Sequence, residues 1–403
     1  MSEEKLVPKL RFDGFNKVWE SKQIGEIAEV VGGGTPKTEI VDYWDGEIKW
    51  FTPSEIGKTK YVFDSDRHIT EKGLKNSSAK LLPKDALLLS SRATVGEISI
   101  ALTECSTNQG FQSLITKSNV DNDFIYYLIS TIKNEFLRRS SGSTFLEINK
   151  NEIKRMPINI PELSEQKKIS NLFSAIDNKI EMLEKKCEYY QDFKKYLMQR
   201  IFSSSDDKLR FDFIYECKIV KLESLIKKGK AGGTPSSTNS DYYNGDIPFL
   251  SIRDMTDQGK YIVKTEKTIT EEGLNNSSAW IIPKNSLLYS IYASIGLVAI
   301  NRSDISTSQA IYGIILKDGV SLEYMYYYLT YFKKNIHKYI ETGTQGNLNA
   351  KLLKSFEILL PSLGEQEMIV NVLSIVDEKI ENSKKEIEKI NEFKKGLLQQ
   401  MFV

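Results

Sequence analysis

The sequence predicts an α+β fold: two homologous globular domains separated by a long antiparallel two-helix coiled coil, with a pseudo-two-fold axis relating the halves. Three observations predict it. Every distinctive motif is written twice, about 200 residues apart. Each copy ends in a long stretch whose apolar residues recur about every 3.5 residues. The remainder of each copy is built from short apolar runs broken by Gly, Pro and Asn, the pattern of strands and turns. The expected division is 1–162 for the first globular domain, 163–203 for its helix, 204–362 for the second domain and 363–403 for the second helix.

The repeat carries the most information. Lys9-Leu10-Arg11-Phe12 returns as Lys208-Leu209-Arg210-Phe211, and Gly33-Gly34-Thr35-Pro36 as Gly232-Gly233-Thr234-Pro235. Asn76-Ser77-Ser78-Ala79 returns as Asn276-Ser277-Ser278-Ala279. A period this long suits two homologous domains rather than a solenoid.

Within each copy, Leu81 to Leu89 reads as two short strands about a Pro-centred turn, and Val95 to Leu102 and Ile295 to Ile300 read as strands. Asp123 to Arg138 and Leu322 to Tyr339 read as aromatic-rich helices. Asn149 to Met156 and Asn349 to Phe356 read as short helices before a closing strand. Ser203 to Asp207 is a short polar join.

The first long helix has Pro161 before it, Ser164 as the expected N-cap and Glu165 in its first turn. Its seam is Ile169, Phe173, Ile176, Ile180 and Leu183. The matching seam in the second copy is Ile369, Leu373, Val376, Ile380 and Ile387. Lys194 and Lys394 interrupt the two seams at the same place. A single amphipathic helix this long cannot bury its own seam, so the two copies are expected to pair. The first helix carries the chain roughly 58 Å. The short join then starts the second domain at its far end, so the second helix must run back antiparallel.

Composition narrows the function. A net charge of +1 advertises no global attraction to polyanions, so any nucleic-acid surface must be a local patch. Two histidines, His68 and His337, are too few for a His metal cluster, and no metal ligands are assigned. Three scattered cysteines fit a reducing cytoplasm, and no stretch reads as a signal or membrane span. No catalytic residue is assigned. An Asn-Pro-Pro-aromatic methyltransferase motif is absent. Gly57-Lys58-Thr59 lacks the rest of a phosphate loop, and the Ser-x-x-Lys spacing at Ser77 ends in Trp280 in the repeat.

With these residues in view, the chain resembles the DNA-specificity subunit of type I restriction-modification enzymes. The resemblance is carried by the two Lys-Leu-Arg-Phe starts, the two Gly-Gly-Thr-Pro loops, and Pro161 to Gln166 and Pro361 to Gln366 opening the long helices. It spans nearly the whole chain, and the order of motifs, twice over, is specific where single motifs are weak. It implies two target-recognition domains, each reading half of a split DNA site, with the helices as a spacer. It also implies no cofactor in this chain. S-adenosylmethionine would belong to two modification subunits, and ATP and Mg to restriction subunits, all docked on this scaffold. Other classes stay open on the residues alone: a non-catalytic coiled-coil scaffold or interaction protein without DNA specificity, or a stand-alone enzyme.

Candidate DNA-binding residues lie in three recurring polar loops. The first holds Thr35 and Lys37, matched by Thr234 and Ser236, where glycine amides could approach a phosphate; a plain tight turn is the competing reading. The second holds Arg92 and Thr94, matched by Tyr292 and Ser294. The third holds Ser143 and Thr144, matched by Thr344 and Gln345. Lys58, Lys60 and Arg253 add local positive charge. Asn108-Gln109 and Ser308-Gln309 are amide-rich and read alternatively as caps of a buried strand end.

Overall fold

The structure, a computed structural model, describes residues 6–142, 146–203, 217–338 and 348–403. The chain forms two compact units. One comprises Met1–Glu184 together with Lys385–Val403; the other comprises Lys185–Lys384. Each unit thus combines a globular part with a piece of both long helices, and the helices run over Leu163–Phe202 and Leu363–Met401.

The first unit holds a five-stranded sheet in the order Ala28–Gly32, Gln112–Thr116, Leu87–Leu89, Ile98–Ala101, Tyr61–Val62. A three-stranded sheet runs His68–Ile69, Trp44–Phe51, Cys105–Thr107, and Glu20–Gln23 pairs antiparallel with Pro157–Ile160. The second unit repeats the same order. Its five strands are Ile226–Ala231, Ile311–Leu316, Leu287–Ser290, Val298–Asn301 and Tyr261–Ile262. Its three are Lys267–Ile269, Tyr243–Leu250 and Ser306–Thr307.

Period-2 alternation explains why the central strand Leu87–Leu89 is apolar throughout and its counterpart nearly so. Leu87 and Leu89 join the main core with Phe124 and Phe173, while Leu88 points into a second cluster with Phe51 and Phe111. Leu287 and Tyr289 divide from Leu288 in the same way. Both sheet faces are covered, so both are largely apolar, and buried hydroxyls such as Ser99 and Ser290 bond backbone carbonyls.

The expected strand at Val95–Leu102 is shorter, because Gly96 turns at φ 85° before Ile98–Ala101. Of the two strands expected about Pro83, the second is Leu87–Leu89, and the first is a single bridge from Leu82 to Cys105. The expected helix at Asp123–Arg138 is two, Asn122–Thr131 and Lys133–Arg138, broken at Ile132. The expected helix from Leu322 ends at Phe332 and continues as a 3-10 turn over Lys333–Lys338.

Ser164 is not the N-cap. The helix starts at Leu163, the Glu165 and Gln166 amides reach the Glu162 carbonyl, and the Ser164 hydroxyl bonds the Glu162 carboxylate at 2.7 Å. Glu165 is buried and takes two bonds from Arg11, at 2.7 and 2.8 Å. Gln166 is also buried. It donates to the Pro161 carbonyl at 2.8 Å and accepts from the Asp121 amide at 2.9 Å. Gln366 does the same with Pro361 and Ser321. The shared Glu-Gln motif therefore locks the long helix to the aromatic-rich helix beneath it.

Inside each unit the two helix segments run antiparallel. In the first unit Lys394 meets Asp177 and Glu386 meets Lys179. In the second Lys194 meets Asp377 at 2.6 Å. Of the ten seam residues, seven are buried; Ile176, Ile380 and Ile387 are partly buried. Ile169 and Phe173 pack in the first globular core with Met401, and Ile369 and Leu373 in the second with Ile201. The seam is thus core as well as coiled coil.

The polar breaks in the seam have partners. The Tyr127 hydroxyl donates to Asp177 at 2.6 Å, and Lys394 takes the other carboxylate oxygen at 2.5 Å. In the second unit Tyr327, Asp377 and Lys194 repeat this, with Lys260 donating to the Tyr327 hydroxyl at 2.8 Å. Burial pushes the Lys260 ammonium below its ordinary value against the opposing pull of Asp377.

Candidate nucleic-acid interface

The Gly-Gly-Thr-Pro loops are built by close approach. A side chain on Gly33 would lie 2.0 Å from the Asn108 carbonyl, and one on Gly34 would lie 2.3 Å from the Ser78 hydroxyl. Gly232 and Gly233 face Thr307 and Ser278 at 2.2 Å each. The glycine pair therefore seats the loop between two other repeated motifs, Asn-Ser-Ser-Ala and the strand end at residues 107–108. The expectation that these glycine amides approach a phosphate is corrected. Gly33 and Gly34 donate to the Phe111 and Thr107 carbonyls, and Gly232 and Gly233 to Ile311 and Thr307. Side chains are left to face a ligand.

Thr35 donates its hydroxyl to the Gln109 carbonyl oxygen, and Thr234 to that of Gln309. Lys37 and Ser236 are exposed on the same loops. Below the first loop, Trp50 donates to the Gly34 carbonyl at 2.9 Å and Trp44 to that of Lys37 at 3.2 Å. Arg67 lies 3.6 Å over the Trp44 ring. In the second unit the Tyr243 hydroxyl bonds the Pro235 carbonyl at 2.7 Å instead.

The second predicted loop stands beside the first. Arg92, Thr94 and Gln109 line one groove of about 410 Å³ with Pro53 and Ser54. Tyr292 and Gln309, at the repeat positions of Arg92 and Gln109, line a groove of about 520 Å³ with Ile291 and Asn349. The loop backbone is strained: Ala93 has φ 65°, Ala293 φ 45° and Ser294 φ 46°. Such residues cost about 1–3 kcal/mol each and concentrate at ligand sites. Arg92 lies 3.9 Å from Glu147, and each side chain is about half exposed, so this pair holds it weakly. Thr94 shares a 3.0 Å bond with the Ser90 hydroxyl.

Other candidates are placed elsewhere. Lys60 is corrected: its side chain is 9% exposed, and it is held by Asp123 at 2.7 Å and Ser174 at 2.8 Å. It belongs to the network of Tyr127 and Asp177, not to a free basic patch. Arg253 sits on the helix Ile252–Gln258, 3.7 Å from Asp257, largely exposed. Lys58 is exposed but lines neither groove. Ser143, Thr144, Thr344 and Gln345 lie outside the described residues. Gln109 and Gln309 were absent from the candidate set. The signal for them was their identity in both copies beside a changed neighbour, Asn108 against Ser308.

Comparisons with known proteins decide the family. A profile described as the type I restriction modification DNA specificity domain matches twice, at residues 16–188 and 215–392. The chain belongs to the type I restriction-modification DNA specificity family. It is 27% identical over 401 residues to the MjaIX specificity subunit of Methanocaldococcus jannaschii, covering 95% of this chain and 92% of that one. It is 27% identical over 191 residues to the EcoR124I/EcoR124II specificity subunit of Escherichia coli, covering 43% and 47%.

In fold it resembles the specificity subunit of M. genitalium, with a TM-score of 0.60 at 16% identity, over 98% of this chain and 99% of that one. A chain from a study of type I complex assembly and conformational transition gives a TM-score of 0.63 at 16% identity, over 96% and 98%. As a specificity subunit the chain is not an enzyme by itself and carries no cofactor of its own.

Proposed function

We propose that each unit reads one half of a bipartite DNA target, that the two long helices set the nonspecific gap, and that the chain scaffolds modification and restriction subunits. One observation carries this reading. A groove is lined at the same two repeat positions in both units, and one of the two residues differs: Arg92 beside Gln109 in the first, Tyr292 beside Gln309 in the second. Equal frameworks with unequal lips suit two readers of different short sequences.

The base-facing set in this reading is Arg92, Thr94, Tyr292 and Ser294, with Lys37, Ser236, Lys58 and Arg253 as backbone contacts. S-adenosylmethionine would be held by the modification subunits, and ATP and Mg by the restriction subunits. None of the described helices is long and apolar enough to cross a membrane, and such a complex would act in the cytoplasm, where the chromosome is. The test is methyl transfer to host-like DNA by the purified chain alone and with modification subunits added. Site-specific transfer only in the mixture is expected; transfer by the chain alone contradicts the reading.

A further inference from the structure

We infer that Gln109 and Gln309 are phosphate-contacting residues, one in each unit, and that Thr35 and Thr234 are the positioning residues that aim them. The inference rests on the DNA-reading function proposed above and adds a contact class to it.

The geometry is the same in both units. The threonine hydroxyl donates to the glutamine Oε1, so the acceptor end of each amide is engaged by the protein. One lone pair of Oε1 and the orientation of the amide are thereby taken, while Nε2 keeps both hydrogens for a ligand. A glutamine that reads adenine must offer its acceptor and its donor together. An amide whose oxygen is already held turns its donor end outward, which suits an acceptor-only partner, and the phosphate oxygens of DNA are that along the whole duplex.

Two further observations point the same way. Each glutamine is exposed and lines the groove beside a residue that differs between units, Arg92 or Tyr292. If the two half-sites differ, an identical Thr–Gln pair answers to what they share, and the backbone is what any two sequences share. The glycine amides of the loops, meanwhile, are spent on internal carbonyls. The glutamine side chain is the neutral donor that the loop presents in their place. The threonine is fixed because the preceding glycines admit no Cβ on either side, so the amide is oriented before DNA arrives.

The test uses the full chain with its modification subunits and a duplex bearing the motif that methylome sequencing defines. Gln109→Ala should weaken binding about tenfold, the range of a hydrogen bond to a charged group. The loss should be equal on cognate duplexes and on duplexes with one base changed in that half-site. A scan of single methylphosphonate substitutions, which remove a phosphate charge, should find one position that weakens the wild type but not Gln109→Ala. Thr35→Val should lose part of the same affinity, and Thr35→Ser should restore it.

A change in base preference at one position would make Gln109 a base reader and overturn the inference. So would unchanged affinity, or a Gln109→Ala complex that still responds at every phosphate. If the wild-type complex does not distinguish the motif from a scrambled duplex, the proposed function fails and this inference with it. Failure of the glutamine arms alone leaves that function standing.

Discussion

The Asp177 carboxylate and the Lys394 ammonium stand 2.5 Å apart, although more than half the chain lies between the two residues. Asp177 also accepts from Tyr127 at 2.6 Å, and both charged side chains are about a quarter exposed. The pair thus joins the two helices and the globular part within the first unit. Asp177→Ala leaves Lys394 without its carboxylate and the Tyr127 hydroxyl without its acceptor, with Lys60 at 3.1 Å still donating to that hydroxyl. Discounted for partial solvation, the loss should be about 1–3 kcal/mol, read as a lowered denaturant midpoint at unchanged slope. Asp177→Asn, which keeps an acceptor for Tyr127, should lose less.

Arg92→Ala should leave the fold intact, because Arg92 is half exposed and its ion pair with Glu147 is long, at 3.9 Å. Binding to the cognate duplex should weaken by about 1–3 kcal/mol. Relaxed preference at one base pair of one half-site is the expected signature; uniform loss across sequences would assign Arg92 to a phosphate.

Alkaline pH should destabilise the chain. Burial, reinforced by the nearby Asp377 carboxylate, pushes the Tyr326 phenol up to about 12. Its unfolded value is the ordinary phenol value, about 10. A raised folded value means the stability is fully present below about pH 10 and is lost as pH rises toward 12. Tyr126, also raised to about 12 by burial, adds in the same direction. Lys260 opposes them, since its depressed folded value makes its contribution grow as pH rises. The two tyrosines outweigh it, so unfolding free energy measured from pH 8 to 11.5 should be flat and then fall. Tyr326→Phe should flatten the fall.

Much of this fold is legible in the sequence, because it is local. The 3.5-residue seam, the doubled motifs and the alternation in Leu87–Leu89 each declare their element within a short window. The site is less legible because it is assembled from afar. Nothing near Gly33 says that it must touch Asn108, or that Gly34 must touch Ser78. Glycine before threonine reads equally as a phosphate loop and as a close approach. Lys194 and Lys394 look like flaws in a seam until their aspartates on the opposite helix are seen. Lys60 looks like a surface cation until Asp123 and Ser174 enclose it. The helix starts two residues before the reading, because the Glu162 backbone carbonyl takes the Glu165 and Gln166 amides and the Ser164 hydroxyl turns to the Glu162 carboxylate.

The helices are the proposed ruler. Four residues inserted after Glu188 add roughly 6 Å and about one turn. With DNA rising about 3.4 Å per base pair, the gap in the methylated motif should grow by one or two base pairs with both half-sites unchanged. The insertion forms a stutter that loosens the seam locally without abolishing it. An active enzyme with an unchanged gap would refute the ruler.

The central claim is that each unit reads its own half-site. Its most direct measurement is methylome sequencing of a host whose chain carries residues 218–360 exchanged for those of a relative, together with the modification subunits. The account predicts a methylated motif in which one half changes and the other half is retained. A motif changed in both halves, or one with no split between halves, would contradict it.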